Sequence, residues 1–572
     1  MLPCHLIGKI NNQNYLVRNL IFKLGKIKKY IMKKILLSFI CLAFAGVSFT
    51  QVRYVDEVFT DFTVDSANVY AENLTVIGEL ADPPQPYLPT GQFGIPALEV
   101  DVYEPVGDTE TERPLVIVLH TGTFLPIIYN GNPTGLRDDY ATAAICQSYA
   151  KRGYVAANVE YRLGWNPYLP TQSEKAASLM KAVYRAIQDT KAAVRYFKKD
   201  YVDNGNTWGI DTSRIILSGQ GSGGWISLGY ASVDKLAEIQ LPKFLDLSDP
   251  LNPVALIDTA EIGDWDGYGG LYNVENNVTY ADGSPIANDI HMVCSMGGGI
   301  GDLSWLEAGD VPMCAVHCPT DPVAIYTTGD VAVSQIGVVT TDISGSYDVM
   351  VKANALGNND VLAPINAGGD PYTLAAQAAS ASAEGMTDFG GTTVGAPVDN
   401  VFPFVTQNPF EAAPWDFWDS TTTVMIAYGL GFPDDPTTGL PYGTLIHLNS
   451  LDQNPDMSIM KSMAYTDSTM GYFCRRIVRA TNLDGLNDLD ELNANSEVQI
   501  YPNPASEQVT IQTSKGIITA VEIYASTGEL VRSELNLSSS QINLNNLNLN
   551  EGLYLCSVHI DGQRITKRVV IH

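Results

Sequence analysis

Between positions 98 and 330, short continuous hydrophobic runs alternate with longer segments whose hydrophobic residues recur at helical spacing. Leu115 to Leu119 and Met313 to His317 are runs typical of strands that are buried on both faces. Tyr140 to Lys151 and residues 173–199 carry the helical pattern. Further strands are predicted at 154–161, 214–217 and 291–295, and a last amphipathic helix at 457–480. Buried strands that alternate with helices predict an α/β fold with a mostly parallel sheet covered on both faces.

The segment from about 335 to 440 departs from this alternation. It is rich in Gly, Ala, Thr and Asp, and it carries the aromatic residues Trp415, Phe417 and Trp418. We expect a long insertion here, either a lid or an added β-rich subdomain.

In the helix at 173–199, Arg185 and Asp189 stand four residues apart, a spacing that suits an ion pair on one helix face.

Both ends of the chain differ from its middle. Residues 35–49 form an apolar run that directly follows Lys33 and Lys34, a pattern typical of a secretory signal peptide and too short for a comfortable membrane span. We expect the true start at Met32, with residues 1–31 as a mis-extended reading frame and residues 1–50 absent from the mature protein. At the other end, short alternating segments over 497–572 predict a small all-β sandwich, joined to the rest by an acidic linker at 481–496.

The charge balance narrows the class of partner. Lys and Arg number 34 against 63 Asp and Glu, a net charge of −29. Eight of the basic residues and none of the acidic ones lie in residues 1–50, which leaves 26 basic against 63 acidic residues in the mature chain. So negative a surface repels phosphate backbones and anionic membranes, so we expect no nucleic-acid binding. Because the apolar run at 35–49 is too short for a comfortable span, we also expect no integral membrane span. The two cysteines Cys314 and Cys318 lie in an apolar strand pattern, so we assign neither a metal nor a cofactor.

The C-terminal segment carries motifs of a known kind. Tyr501-Pro502-Asn503-Pro504 opens it, Gly552-Leu553-Tyr554 follows, and Lys567-Arg568-Val569-Val570 closes it. In this order and spacing the segment resembles the type A C-terminal sorting domain of the type IX secretion system. The resemblance implies recognition by that secretion machinery, export across the outer membrane, and either release or attachment at the cell surface.

The central segment resembles the α/β-hydrolase superfamily, in particular its carboxylesterase-like branch. The matching motifs include the strand 113–120 that leads to an oxyanion loop, the Gly-Tyr pair at 153–154, and Trp208-Gly209-Ile210-Asp211 before a glycine-rich turn. The resemblance covers about 98–330 and the helix at 457–480, within a domain at 52–480, and implies a small-molecule or polymeric ester-like ligand. In this fold the helices of Cys146 and Cys474 pack on one side of the sheet, so a disulfide between them is a hypothesis.

Acyl transfer in this family requires a hydroxyl on a sharp turn between strand and helix. When Gly219 and Gly223 are aligned with the glycines of the Gly-x-Ser-x-Gly motif, the nucleophile position is Gly221, which has no side chain. Glycine tolerates the strained geometry of such a turn, so the substitution preserves the fold and removes the chemistry. The neighbouring Ser222 is either a nucleophile in a shifted register or a residue that caps the following helix.

The remaining parts of the site are assigned by the same resemblance. The oxyanion loop corresponds to Thr121, Gly122 and Thr123, with a β-branched residue where glycine is usual. Asp321 is either the acid that orients the base or the start of an Asp-Pro turn. His447, about ten residues before the last helix, is either the base or a hydrogen-bonded loop residue.

Three hypotheses follow. The departures at Gly221, in the oxyanion loop and in the supply of histidines favour a pseudoenzyme that serves as an extracellular binding module. The alternative is an active extracellular esterase that uses Ser222, His447 and Asp321. A third possibility, a structural surface protein whose insertion mediates adhesion, follows only from the sorting domain.

Overall fold

The structure, a computed structural model, describes residues 51–75, 95–484 and 498–571, apart from short gaps at 168, 248, 334–336, 502–504, 506–507, 514–515, 526–529, 546, 548, 551 and 561–562. The predicted signal peptide at 35–49, the expected start at Met32 and most of the linker at 481–496 lie outside these residues. Within the described part of the chain, no helix is both long enough and apolar enough to cross a bilayer.

An eight-stranded sheet forms the centre of the larger domain. Its strands in chain order are β1 (Phe62–Glu72), β2 (Ala97–Pro105), β3 (Arg113–Leu119), β4 (Val155–Val159), β5 (Ile210–Gln220), β6 (Met292–Met296), β7 (Met313–His317) and β8 (Val401–Pro403). Their spatial order is β1-β2-β4-β3-β5-β6-β7-β8. The first two pairings are antiparallel and all others are parallel. The predicted α/β class with a mostly parallel sheet is therefore confirmed.

Helices cover both faces of this sheet. They are α1 (Tyr140–Lys151), α2 (Gln172–Asp203), α3 (Ser222–Ser232), α4 (Ser346–Ala355), α5 (Pro371–Ala383), α6 (Ser420–Gly429), α7 (Tyr442–Ser450) and α8 (Ile459–Ala480), with short helices at Thr259–Ile262 and Ala363–Asn366. Alternate residues of β3 enter opposite cores: Ile117 packs with α2 and α3, whereas Val116 packs with α1 and α8. The continuous hydrophobic run of β3 is explained by burial on both faces.

Smaller strands lie outside the eight-stranded sheet. Thr328–Val333, Gly337–Gly345 and Gly299–Ile300 form a three-stranded antiparallel sheet, and Leu245–Asp246 pairs with Val254–Ala255. Short 3-10 turns lie at Leu236–Gln240, Pro242–Phe244, Leu303–Trp305 and Asp360–Leu362.

The expected insertion at 335–440 needs correction. Residues Val401–Pro403 are the eighth strand of the main sheet and pair in parallel with β7. Helix α4 contributes Val349 and Met350 to the core beside α2. Much of this segment is therefore part of the central fold, and the short strand β8 was missed because three residues carry no readable period.

Two further expectations differ from the structure. Cys146 on α1 and Cys474 on α8 lie in one buried cluster, as expected, but both thiols are free, so the disulfide hypothesis is wrong. Asp189 of α2 pairs with Arg162 rather than with Arg185, whose guanidinium donates to the carbonyl of Gly164 instead. Burial lowers the pKa of Arg185 to about 9, and the neighbouring charge of Arg162 acts in the same direction.

The C-terminal residues form two antiparallel sheets. The strands are β9 (Val498–Tyr501), β10 (Gln508–Thr513), β11 (Ile518–Ala525), β12 (Leu530–Glu534), β13 (Gln541–Asn545), β14 (Gly552–Ile560) and β15 (Gln563–Ile571). One sheet has the order β9-β10-β13 and the other β12-β11-β14-β15. Ile511 from the first sheet and Val521 and Val558 from the second share one core, as the predicted sandwich requires.

A buried ion pair joins the chain after β4 to helix α2. The carboxylate of Asp189 accepts from the backbone N–H and the Nε of Arg162, both at 2.9 Å, and lies 2.8 Å from a terminal guanidinium nitrogen. The side chains are 1% and 2% exposed. The same guanidinium donates to the carbonyl of Leu74, so Arg162 connects the chain after β4 both to helix α2 and to the chain after β1. Removal of the acid leaves a buried charge without its partner.

We therefore expect Asp189→Ala to lower the free energy of unfolding by about 3 to 5 kcal/mol, because the arginine is then buried unpaired. Urea denaturation of the purified protein measures this change. The matched control is Glu307→Ala, which breaks the solvent-exposed pair with Lys235 and should leave the free energy of unfolding nearly unchanged. Equal effects of the two substitutions would contradict the structural role assigned to Arg162 and Asp189.

Candidate functional site

The turn between β5 and α3 is a sharp bend at Gly221. Its backbone has φ 53° and ψ −113°, a conformation that side-chain-bearing residues rarely adopt. Gly221 is the residue immediately before helix α3, and its N–H donates to the carbonyl of Met296 at the end of β6. The bend therefore falls at Gly221 and not at Ser222, which is the first residue of the helix.

The two neighbouring glycines allow the helix to approach the sheet closely. A Cβ on Gly219 would overlap the backbone of Gly223, and a Cβ on Gly223 would overlap the carbonyl of Leu119. The N–H of Gly223 also donates to the carbonyl of His120 at 3.1 Å. This spacing of glycines is the one that places Gly221 at the position of the nucleophile.

Thr121 fills the space beside that bare α-carbon. A Cβ built on Gly221 would overlap the hydroxyl oxygen of Thr121 and lie 3.1 Å from its Cβ. Thr121 follows β3 by two residues, so its side chain reaches the bend from the neighbouring strand. No hydrogen bond to its hydroxyl is found among the described residues. A threonine side chain thus stands where a side chain at position 221 would begin.

The predicted oxyanion loop adopts a strained backbone. Gly122 has φ 128°, and Thr123 and the following Phe124 have φ 50° and 57°. Two consecutive residues with side chains in the left-handed region are unusual and occur most often at functional sites. In the described part of the chain, the N–H groups of Gly122, Thr123 and Ser222 have no hydrogen-bond partner, so donors for an oxygen ligand are retained at this edge.

Ser222 is buried at the start of α3, with 5% of its surface exposed. Burial raises the pKa of Tyr161, and a hydrogen bond with the Ser222 side chain opposes that rise. The Tyr161 hydroxyl itself donates to the carbonyl of His120 at 2.8 Å. Ser222 therefore faces a phenol, and no contact with an imidazole is described for it.

The structure brings Asp321 to the bend but places His447 elsewhere. Asp321 lies after β7 and lines the same cavity as Gly221 and Thr121. His447 lies on α7, where its Nδ1 accepts from the indole N–H of Trp418 at 3.0 Å. It lines neither of the two cavities at the bend. The expected set of Ser222, His447 and Asp321 is therefore not assembled by the described contacts.

Two other histidines lie near this edge, and both are engaged in the core. His317 contacts Ser346 through Nδ1 and donates from Nε2 to the carbonyl of Ala324, each at 2.9 Å. The ring of His120 stacks on Tyr161 with centroids 4.4 Å apart. Burial lowers the pKa of His120 to about 4, so the ring is neutral at physiological pH. None of the described histidines lines either cavity.

A second carboxylate, which the sequence did not single out, lies opposite the bend. Asp416, from the loop after β8, accepts from the side chains of Gln220 at 3.1 Å and Thr134 at 3.2 Å. Burial raises its pKa to about 6. Burial also raises the pKa of Asp139 to about 7, with repulsion by Asp416 as a further cause. The available signal was the bulky Gln220 before the bend, since a buried amide requires a partner.

Two cavities meet at this edge. The apolar cavity, about 150 Å³ in volume, lies between α2, α3 and the small three-stranded sheet. Its wall is formed mainly by large hydrophobic side chains, among them Phe124, Ile187, Trp225, Phe244 and Trp305. The polar cavity, about 100 Å³, is lined by Thr121, Gln220, Asp321, Asp416 and neighbouring residues. An apolar pocket with a few convergent polar groups is the usual form of a small-molecule site.

Comparison with known families agrees with this architecture. Residues 100–331 match the family described as BD-FAE. Residues 499–572 match the secretion system C-terminal sorting domain. The chain therefore contains a segment similar to the BD-FAE family, here called the BD-FAE domain, followed by a segment similar to a sorting domain. The BD-FAE domain thus contains the bend at Gly221, the oxyanion loop and Asp321, whereas the sorting domain directs export to the cell surface or the medium.

The solved structures that show some similarity to the chain include two esterases. Propionate-bound Est2 from Thermogutta terrifontis is 14% identical to this chain. The match spans 40% of this chain and 70% of the Est2 chain, with a TM-score of 0.26. Esterase B from Lactobacillus rhamnosis, inhibited by a phosphonate, is 16% identical, with coverage of 51% and 76% and a TM-score of 0.24. No curated protein matches the chain.

Because positions 121 and 221 are in contact, we expect substitutions at the two positions to have non-additive effects on the free energy of unfolding. We expect Gly221→Ser alone to destabilise the BD-FAE domain by about 1 to 3 kcal/mol, because the new side chain overlaps Thr121 at a positive φ. In Gly221→Ser combined with Thr121→Gly, that overlap is gone, so the double variant should be at least about 1 kcal/mol more stable than the sum of the single effects. Chemical denaturation of all four proteins measures the coupling, and strict additivity would contradict it.

The raised pKa of Asp416 gives a prediction of pH dependence. Its folded pKa lies above the unfolded value, so its contribution is fully present below about pH 4 and is lost as the pH rises through about 6. Asp416→Asn, which stays neutral, should match the unchanged protein near pH 4 and exceed its free energy of unfolding by about 2 to 3 kcal/mol at pH 8. Denaturation at both pH values tests this, and a variant whose advantage does not grow with pH would contradict it.

Proposed function

We propose that this chain is an exported binding protein, built on an esterase-like domain that does not perform serine-hydrolase chemistry. The observation that carries the proposal is the bend at Gly221, which holds the backbone geometry of the nucleophile position with no side chain to attack. Thr121 occupies the adjacent space, so the neighbouring loop is fitted to glycine at 221.

The surroundings of the bend support the same conclusion. Activation of a hydroxyl requires a base within hydrogen-bond reach, about 2.6 to 3.2 Å. His447 is engaged with Trp418, His120 with the carbonyl of Thr121, and His317 with the carbonyl of Ala324. The loop after β8 contributes Asp416 to the polar cavity, and none of the described residues that line this cavity is a histidine. Ser222 lines the apolar cavity, but its described partner is the phenol of Tyr161.

The ligand site is retained despite this loss. The apolar cavity remains open among large hydrophobic side chains, and unengaged N–H groups remain at the oxyanion loop. Burial of an apolar group in such a cavity is favourable by about 25 cal/mol per Å² of surface removed from water. The sorting domain delivers this site to the cell surface or the medium, where a binding function acts on extracellular small molecules or polymers.

The test is to incubate the purified exported protein with a fluorophosphonate serine probe and with short-chain aryl esters. We expect no covalent labelling and no ester turnover, because no activated hydroxyl is assembled at the bend. Intact-protein mass and release of the aryl alcohol measure the two outcomes. An active serine esterase treated in parallel shows that the reagents are competent.

Labelling or turnover that disappears in Ser222→Ala would overturn the proposal and support the esterase hypothesis with Ser222 as nucleophile. The matched control is Ser227→Ala, a buried serine on the same helix whose hydroxyl donates to the carbonyl of Gly223. Activity lost equally in both variants would indicate damage to α3 and not loss of a nucleophile. Turnover that survives Ser222→Ala but is lost in Thr121→Val would assign the reaction to the threonine hydroxyl.

A further inference from the structure

The two cavities at the bend are adjacent. Thr121, Thr123, Gly221, Val323 and Ala324 line both of them. A small molecule that passes these shared residues would place one part in the apolar cavity and another in the polar cavity. The chemistry of each compartment then defines what the ligand carries at each end.

The polar cavity is negatively charged and has no cation in its wall. Asp321 and Asp416 line it, and among the described residues of its wall none is Lys, Arg or His. Asp139 adds a third carboxylate behind Asp416 and repels it. Buried carboxylates without a compensating charge are unfavourable, so this compartment favours a positively charged occupant.

Asp321 presents an unpartnered oxygen to this cavity. Its Oδ1 accepts from the N–H groups of Val323 at 2.7 Å and Ala324 at 2.9 Å. Its Oδ2 makes no hydrogen bond within the part of the chain that the structure describes. His317 Nε2 is 3.7 Å away, and it donates to a backbone carbonyl instead. Because Asp321 is only 5% exposed, the cavity is the route by which a donor reaches that oxygen.

We infer that the two adjacent cavities together bind a small amphipathic cation, whose ammonium group donates to Asp321 Oδ2 and whose apolar tail fills the space beside Trp225. The inference rests on the proposed binding function and names its ligand class. The Thr121 hydroxyl and the second carboxylate, Asp416, supply further acceptors around the ammonium group. None of the described residues that line the apolar cavity is charged, so the charge of the ligand is confined to one end.

The test uses three probes of equal length, namely hexylamine, hexanol and sodium hexanoate. Each is titrated into the purified exported protein by calorimetry at low ionic strength and pH 8, where the amine is protonated and the pH lies above the pKa of about 6 of Asp416. A charge-assisted hydrogen bond at a buried site should make the amine bind about tenfold or more tightly than the alcohol, with hexanoate weakest.

Three variants locate the effect. Asp321→Asn should remove the preference for the amine over the alcohol and leave alcohol binding nearly unchanged. Asp416→Asn should reduce the preference, and it provides a second measurement if the first variant does not fold. The matched control is Asp419→Asn, which makes the same charge change three residues from Asp416 at an exposed helix cap that asparagine also satisfies.

Equal affinity for the three probes, tighter binding of hexanoate, or no binding of any probe up to its solubility limit would overturn the inference. So would a preference that survives both Asp321→Asn and Asp416→Asn. These outcomes are separate from failure of the proposed function, which is read from fluorophosphonate labelling and ester turnover. A protein that prefers the amine and also hydrolyses esters would keep the ligand class and lose the non-catalytic assignment.

Discussion

The close approach of helix α3 to strands β3 and β5 is the constraint on which the site depends. Glycines at 219 and 223 let the helix start against the sheet, and the chain between them turns at Gly221 in a conformation that costs little only for glycine. The turn fixes the position of Ser222, which lines the apolar cavity, beside Thr121, which lines both cavities. The chemistry of this site therefore depends on the backbone conformation of the short turn between β5 and α3.

Around that turn, the carboxyl ends of four other parallel strands position the remaining groups. Thr121 follows β3, Gly297 follows β6, Asp321 follows β7 and Asp416 follows β8, and all of them line the polar cavity. Such convergence is expected at this edge of an α/β sheet. The chain has thus kept the means of gathering functional groups, while the set it gathers is two carboxylates, threonines and amides and contains no imidazole.

Much of the fold could be predicted from the sequence, because buried strands and long amphipathic helices have strong periods. The strand at Met313–His317 and the helix at Tyr140–Lys151 have the bounds that their hydrophobic pattern predicts. The glycine spacing also located the bend. Strand β8 could not be found, because its three residues become a strand only through pairing with β7.

The site was less predictable, because its pairings are tertiary. The position of His447 before the last helix suggested a base, but its helix turns the ring towards Trp418. Nothing in the sequence distinguishes Asp416 from the other acidic residues, which number 63 in all, because its contact with Gln220 forms only in the folded chain. The partner of Asp189 likewise came from outside its own helix. Local spacing identifies which residues can act, whereas the meeting of separate loops decides which of them do.

The threonine beside Gly221 has an evolutionary consequence. A serine introduced at the bend alone meets the hydroxyl of Thr121. Loss of the threonine alone leaves position 221 without a side chain. The two positions belong to separate loops, so the effect of a substitution at one depends on the residue at the other, and drift at either site is epistatically constrained.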